Sequence, residues 1–379
     1  MTKALSLYLD VLRLLGALMV LLAHWAFPRF TGEDHLWMRR HDLGGDGVVL
    51  FFVLSGLLIA YAAERRRQEG PILFATDRLS RLWSVALPML ALGFVLDTIG
   101  PLFAAETYAA FDIEPGLSPI GLLTGVTFTN QLWFADVPIG SNAPYWSLGY
   151  EAWYYIIFAA FFFGSPRWRW FWAGAACVVA GPKIMLLAPS WVMGVLVWRL
   201  IASGRLSALS RPLALTAALF PVILYVIAHR AFWHLELKQQ TGLWLGADWI
   251  DALGASDTFV WAAVLGVLVS VHILGVAALA QSKSTLPGWA EWSEGTVRWL
   301  AGGSYALYLV HYPVLFFAAA MLPGSDEASW RQALLLAIPI LVSYGFAELT
   351  ERRRPALRGW MRRLIQRKRR SQLSPTAPV

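Results

Sequence analysis

Residues 5–27 read LSLYLDVLRLLGALMVLLAHWAF, a run of bilayer-spanning length whose only charged or imidazole side chains are Asp10, Arg13 and His24. At 1.5 Å of rise per residue, a helix of this length covers about 30 Å of hydrocarbon. An acid, a base and an imidazole in such a run are costly unless paired or wetted, which makes them functional candidates by default. Arg13 and His24 are eleven residues apart, three helical turns and about 16 Å of rise along one face, and Asp10 shares that face. The plainer alternative is that Asp10 and Arg13 pair with each other while His24 caps a polar helix interface. The start, Met1-Thr2-Lys3 before an apolar run, has the outline of a signal peptide. The three polar residues and the lack of a small-x-small cleavage site favour a retained first helix.

The rest of the chain has the same character. Of 379 residues, 58% are hydrophobic and 15% charged, with 20 Trp and 21 Phe, against about 25% charged in a soluble domain. Too little polar residue remains to coat a globule, so the solvent is lipid, and no large extramembrane domain fits. Apolar runs at 5–27, 43–63, 82–99, 146–164, 170–188, 189–202, 213–228, 258–281, 300–322 and 332–349 predict an all-α polytopic membrane bundle of about ten transmembrane helices. Residues 189–202 are short and Gly181-Pro182 interrupts the run before them, which leaves a re-entrant pair open there. Ser118–Phe134, apolar but dotted with Thr, Asn130 and Gln131, reads as an interfacial or partly buried segment of an outer loop. There is no internal repeat and no second domain.

Charge distribution orients the bundle. With both termini cytoplasmic, 23 of the 31 basic residues fall on inner connections and the tail, seven fall outside, and Arg13 lies within the membrane. Residues 97–145 hold Asp97, Glu106, Asp112, Glu114 and Asp136 and no basic residue. The net charge of +7 therefore reports orientation in a bilayer rather than affinity for nucleic acid. Residues 351–379 read as a basic cytoplasmic tail. Trp360, Met361, Leu364 and Ile365 among its arginines predict an amphipathic segment on an anionic leaflet, and residues 371–379 are expected to be disordered. Cys177 is the single cysteine, so an intrachain disulfide and a thiolate zinc cluster are excluded and an acyl-cysteine mechanism is disfavoured. No metal is expected.

Other polar groups stand where lipid should be. Arg78 and Arg81, three residues apart at the inner entrance of the third run, project from adjacent positions of one helix face, and two such guanidinium forks suit a phosphate. The competing reading is the ordinary positive flank of a span. Glu151, one turn into the fourth run, has no Lys or Arg in its own helix and needs a partner from another, with Tyr154 and Tyr155 placed to donate to it. Ser304, Tyr305, Tyr308 and His311 line one side of the ninth run, with Pro313 just beyond as a source of a kink. A hydrogen-bonded structural girdle is the simpler account of the tyrosines. Ser55-Gly56 reads as a close helix contact, and the tryptophans as interfacial belts or sugar-stacking faces.

Together these segments resemble the membrane acyltransferase type 3 family, whose members O-acylate bacterial surface sugars and some small natural products. Arg13 and His24 fit its first-helix Arg and His separated by ten residues, and the stretch from Asp46 to Gly56, DGVVLFFVLSG, fits its second-helix signature. Arg78-Leu79-Ser80-Arg81 is similar to its cytoplasmic Arg-x-x-Arg. Trp146-Ser147-Leu148 with Glu151 and Tyr155 resembles the next signature, and the stretch from Ser304 to Pro313, SYALYLVHYP, the last. The family's closing Glu-Arg-Pro element appears here as Glu351-Arg352-Arg353-Arg354-Pro355, so no role is carried over to it. Some relatives carry a fused extracytoplasmic hydrolase-like domain, for which this chain is too short. The expectation is a stand-alone transferase domain over residues 1–350, with room for a separate periplasmic partner.

The resemblance implies an acyl-CoA donor, most often acetyl-CoA, and a multi-pass place in the bacterial inner membrane. It points to Arg78 and Arg81 as holders of the donor phosphates and to His24 as general base, with Arg13, Asp10 and Glu151 in the catalytic set. Trp146, Tyr155, Tyr305, Tyr308 and His311 become the candidates for contact with substrate. The implied acceptor is a hydroxyl of an extracytoplasmic glycan. A hydrophobic natural product such as a macrolide, an acyl-His24 intermediate, and a glycan transporter or flippase stand as alternatives.

Overall fold

The computed structural model describes residues 1–109, 113, 116–281 and 288–373, with side chains throughout except at 288–292 and 367–373. All regular structure among the described residues is helical. The main helices are α1 (Lys3–Trp25), α2 (Leu43–Arg65), α3 (Gly70–Ala109), α4 (Trp146–Phe163), α5 (Arg169–Ala180), α6 (Pro182–Ala202), α7 (Arg211–Arg230), α8 (Phe259–Gln281), α9 (Ser304–Met321), α10 (Ser329–Leu349) and α11 (Arg354–Leu373). Eight helical segments among the described residues are long and apolar enough to cross a membrane. The chain is a polytopic membrane bundle. Of the ten expected spans, α4 and α5 fall short of that description. Glu151 and five Trp or Tyr side chains dilute the apolar character of α4, and the twelve residues of α5 rise only about 18 Å.

Local chemistry sets the helix ends. Thr2 Oγ1 accepts from the Leu5 amide at 3.2 Å to open α1, and Asp42 Oδ1 accepts from the Gly45 amide at 3.3 Å to open α2. The break after α5 falls at Gly181-Pro182 and not at 188/189 as the apolar runs predict. Gly181 adopts φ 82° with its Cα against the backbone of Trp133, where a Cβ would come within 2.5 Å, and Pro182 then starts α6. Pro189 stays inside α6. The expected fifth and sixth spans thus become a short helix and a full one. The third run is also longer than expected, from Gly70 to a kink at Ala104 within α3. Ser118–Phe134 contains one nine-residue helix, Pro119–Thr127, and Asn130 and Gln131 beyond it are buried.

Helices α1, α2, α6 and α9 form the centre. The Ser55-Gly56 pair serves close packing as expected: a Cβ on Gly56 would lie 2.0 Å from Trp191 O of α6, and one on Gly194 would lie 1.9 Å from Val53 O of α2. Backbones in such contact leave room for nothing larger than glycine. Lys3 Nζ pairs with Glu294 Oε2 at 2.6 Å, and Arg352 Nη2 donates to Trp299 O at 2.8 Å, so both ends of the chain lie against residues 288–301 at one end of the bundle. We call this the terminal face. The tail helix α11 packs along α3 and continues to residue 373, and residues 374–379 lie outside the described residues.

Candidate active site

Two chambers meet inside the bundle. The one toward the terminal face, about 570 Å³, is lined by Arg13, Ser55, Arg81, Ser147, Glu151, Ser304 and Tyr305 among apolar residues. The other, about 930 Å³, is lined by His24, Arg39, Asp42, Trp146, Asp257 and Trp261. Val48, Phe52 and Tyr308 line both, and so form the wall between them.

In the first chamber the charged side chains are held by partners both within their own helices and from others. Glu151 Oε1 accepts from Ser55 Oγ of α2 at 2.7 Å and from Tyr155 OH one turn along its own helix. Ser55 Oγ also accepts from Trp191 Nε1 at 3.3 Å, which fixes the hydroxyl between three helices. Arg13 lies 3.6 Å from Asp10, and Asp10 is held by Arg298 at 3.1 Å. Asp10 therefore orients Arg13 from the terminal face and does not itself line the chamber. Arg81 faces Glu151, Tyr155 and Glu351. Glu351, to which no role could be carried over, is half-buried at the start of α9, where its Oε2 accepts from the Ala306 amide at 2.9 Å. It sits within electrostatic reach of both Arg13 and Arg81.

Arg78 and Arg81 part company in the structure. Arg81 lines the chamber, whereas Arg78 lies toward the terminal face, its guanidinium 5.7 Å from the Phe74 ring and 5.9 Å from the Tyr155 ring. Helix rotation of about 300° over three residues, with different neighbours at each, turns two guanidiniums of one face to different targets. The Arg78 Nε is buried with no hydrogen-bond partner.

In the second chamber the chemistry is that of imidazole. His24 Nδ1 stands 3.0 Å from His311 Nε2, and His311 Nδ1 stands 2.8 Å from Leu307 O. A carbonyl oxygen only accepts, so the His311 proton sits on Nδ1 and its Nε2 carries the lone pair. His24 then donates from Nδ1 and keeps its own Nε2 as a free base. The relay fixes one tautomer of each ring. His311, expected among the substrate-contacting residues, is fully buried behind His24 and lines neither chamber. Tyr312, which the sequence reading passed over, packs its ring 4.8 Å from that of His24 and hydrogen-bonds Arg29. Arg39 covers the Phe27 ring at 3.6 Å.

The tyrosines divide between the two readings given to them. Tyr308 OH meets Ser147 Oγ at 2.6 Å and donates to Pro144 O at 3.0 Å, and Tyr305 OH donates to Leu82 O at 3.1 Å, so both tie helices together while their rings line the first chamber. Tyr155 is engaged by Glu151 and Ser55 and lines neither chamber. Trp146 faces the His24 chamber and also an adjoining cleft of about 1040 Å³ lined by Asn130, Ser141, Asn142 and Tyr312. Among the described residues no group of three or more His, Cys, Asp or Glu is placed to hold a metal ion.

The family described as "Acyltransferase domain" matches residues 6–348. The chain belongs to the acyltransferase type 3 family. No curated protein and no solved structure matches it. It is a membrane acyltransferase, and the match spans α1 to α10 except the first three residues of α1 and the last residue of α10.

Proposed function

We propose that this acyltransferase moves an acyl group, acetyl in the first instance, from cytoplasmic acyl-CoA to a hydroxyl of an extracytoplasmic glycan at the bacterial inner membrane. The observation that carries the reading is the pair of abutting chambers, one with arginines toward the terminal face and one with a tautomerically fixed imidazole beyond. Positive-inside counting puts the terminal face in the cytoplasm, where acyl-CoA is found. Arg81, with Arg78 nearer the surface, would bind the donor phosphates, and the unbranched pantetheine arm would enter past Arg13 toward the wall of Phe52 and Tyr308. The acceptor would approach along Trp146 from the opposite side.

A sugar hydroxyl is a weak nucleophile at neutral pH. His24 Nε2 takes its proton as the oxygen bonds to the thioester carbonyl carbon. The tetrahedral adduct then collapses with cleavage of the C–S bond, and the CoA sulfur receives the proton back from His24. His311 and Leu307 O hold the ring and share the transient positive charge, the second job of a base's partner. Glu151 and Glu351 keep Arg13 and Arg81 in place inside the bundle, where an unpaired guanidinium would be expensive.

The test is release of free CoA from labelled acetyl-CoA by purified protein, with and without glycan extracted from the host envelope. Wild type is expected to release CoA in step with labelling of glycan. Retention of the full rate by His24→Ala would remove the base, and labelled protein in the absence of acceptor would replace direct transfer by an acyl-His24 route.

A further inference from the structure

Three arginines of α11, Arg354, Arg358 and Arg362, converge on Asp77. Asp77, in α3 and buried, accepts from Arg66 Nη1 at 2.5 Å, from Arg358 Nε at 2.9 Å and from Arg362 Nη2 at 2.9 Å. Arg362 also reaches Glu69 at 2.7 Å, and Arg354 Nη2 donates to the Asp77 carbonyl oxygen at 3.1 Å. This arrangement pins the first two turns of α11 to α3 beside Arg78 and Arg81, both of which repel Arg354. Five guanidiniums, those of Arg66, Arg78, Arg354, Arg358 and Arg362, therefore gather around two carboxylates, Asp77 and Glu69, beside Arg81, whose charge Glu151 and Glu351 match. The Nε atoms of Arg78 and Arg354 are buried without a hydrogen-bond partner. A surplus of positive charge held this close, with donors left over, is complementary to a ligand bearing several phosphate charges.

We infer that α11 is the third wall of the donor site: Arg354 completes with Arg78 and Arg81 a clamp for the phosphates of a CoA-type nucleotide, and Asp77 is the anchor that holds this wall in place. The inference rests on the acyl-CoA reading above and adds the tail to it. Asp77 then has an effect opposite in sign to its charge. As a mere anion near a phosphate site it would weaken nucleotide binding, and its neutralisation would tighten it. As the anchor of α11 it strengthens binding, and its neutralisation frees the helix that carries Arg354.

The experiment measures CoA and pantetheine binding to the full chain in phosphatidylcholine nanodiscs, and CoA binding again in discs containing phosphatidylglycerol. Arg354→Gln is expected to weaken CoA about tenfold or more and to leave pantetheine unaffected. Arg353→Gln, the same charge change one residue away on the exposed side, is expected to cost less than about twofold. Asp77→Asn is expected to weaken CoA as well. If Asp77→Asn tightens CoA or leaves it unchanged in folded protein, or if Arg354→Gln and Arg353→Gln behave alike, the inference falls while the donor reading stands. If Asp77→Asn does not fold, the Arg354 and Arg353 pair decides. Loss of phosphatidylglycerol retention by Arg354→Gln with CoA affinity intact would assign the clamp to lipid headgroups and overturn it. Should wild type fail to bind CoA at all, the donor reading itself has failed.

Discussion

The two chambers share a wall but not a chemistry. Toward the terminal face, Arg13, Arg81, Glu151 and Glu351 carry fixed charges, each matched by another across a helix boundary. On the far side of Val48, Phe52 and Tyr308, His24 is backed by a second imidazole and a carbonyl, and no carboxylate among the described residues touches the pair. Charges that must stay put are paired with opposite charges, while the group whose protonation must change is held by neutral partners that fix its tautomer without locking its proton. The difference marks where a polyanionic substrate is gripped and where a proton moves.

That contrast can be broken most severely at its neutral end. Replacing His24 by Ala is expected to cut transfer by about 10²–10⁴ with CoA binding kept, read from steady-state rates beside a binding isotherm. At the charged end, Arg81→Gln should raise the donor KM by about tenfold or more while leaving the acceptor KM unchanged, and it should lower the melting temperature because Glu151 and Glu351 lose a buried partner. Equal effects on both substrates would erase the division of labour. A smaller effect is expected for His311→Phe, which removes the acceptor for the His24 Nδ1 proton. The expected result is a fall in kcat of about tenfold with both KM values unchanged and a displaced pH–rate profile. An unaltered profile would make His311 a packing residue.

The smallest effect concerns the mouth of the His24 chamber. Burial, with the Asp46 carboxylate nearby, pushes the Asp42 carboxyl up to about 7. In the unfolded chain this group titrates near 4, or about 3.9 in model peptides. The folded state therefore holds the proton more tightly, and the associated stability is present at low pH and lost as pH rises from about 4 to 7. Asp42→Asn keeps the helix cap and tolerates the φ of 45°. Its melting temperature should accordingly be flatter than that of wild type across pH 5–8 and higher at the upper end, as followed by thermal unfolding in detergent.

The bundle was legible because length, hydropathy and the placement of Lys and Arg each act locally along the chain. Ser55 and Gly56 illustrate the limit. Their small size announces a close contact, but that Ser55 also holds Glu151 depends on a helix about a hundred residues away. Gly181-Pro182 was visible as an interruption, but the apolar runs put the span boundary at Pro189, although a proline inside a membrane helix is tolerated where neighbours satisfy the freed carbonyl. Glu351 and Asp77 escaped because their partners, the Ala306 amide and the arginines of α11, come from distant segments. His311 was found by its spacing, but its place behind His24 follows from the packing of α9 on α1. What tertiary packing assembles, periodicity cannot display.

The most direct test uses sealed vesicles of one orientation, with labelled acetyl-CoA confined to the face bearing both termini and envelope glycan confined to the other. The account predicts free CoA on the donor side, label on glycan across the membrane, and neither with His24→Ala. Label reaching the glycan at an undiminished rate in that variant, or only when donor and glycan share one compartment, would contradict it.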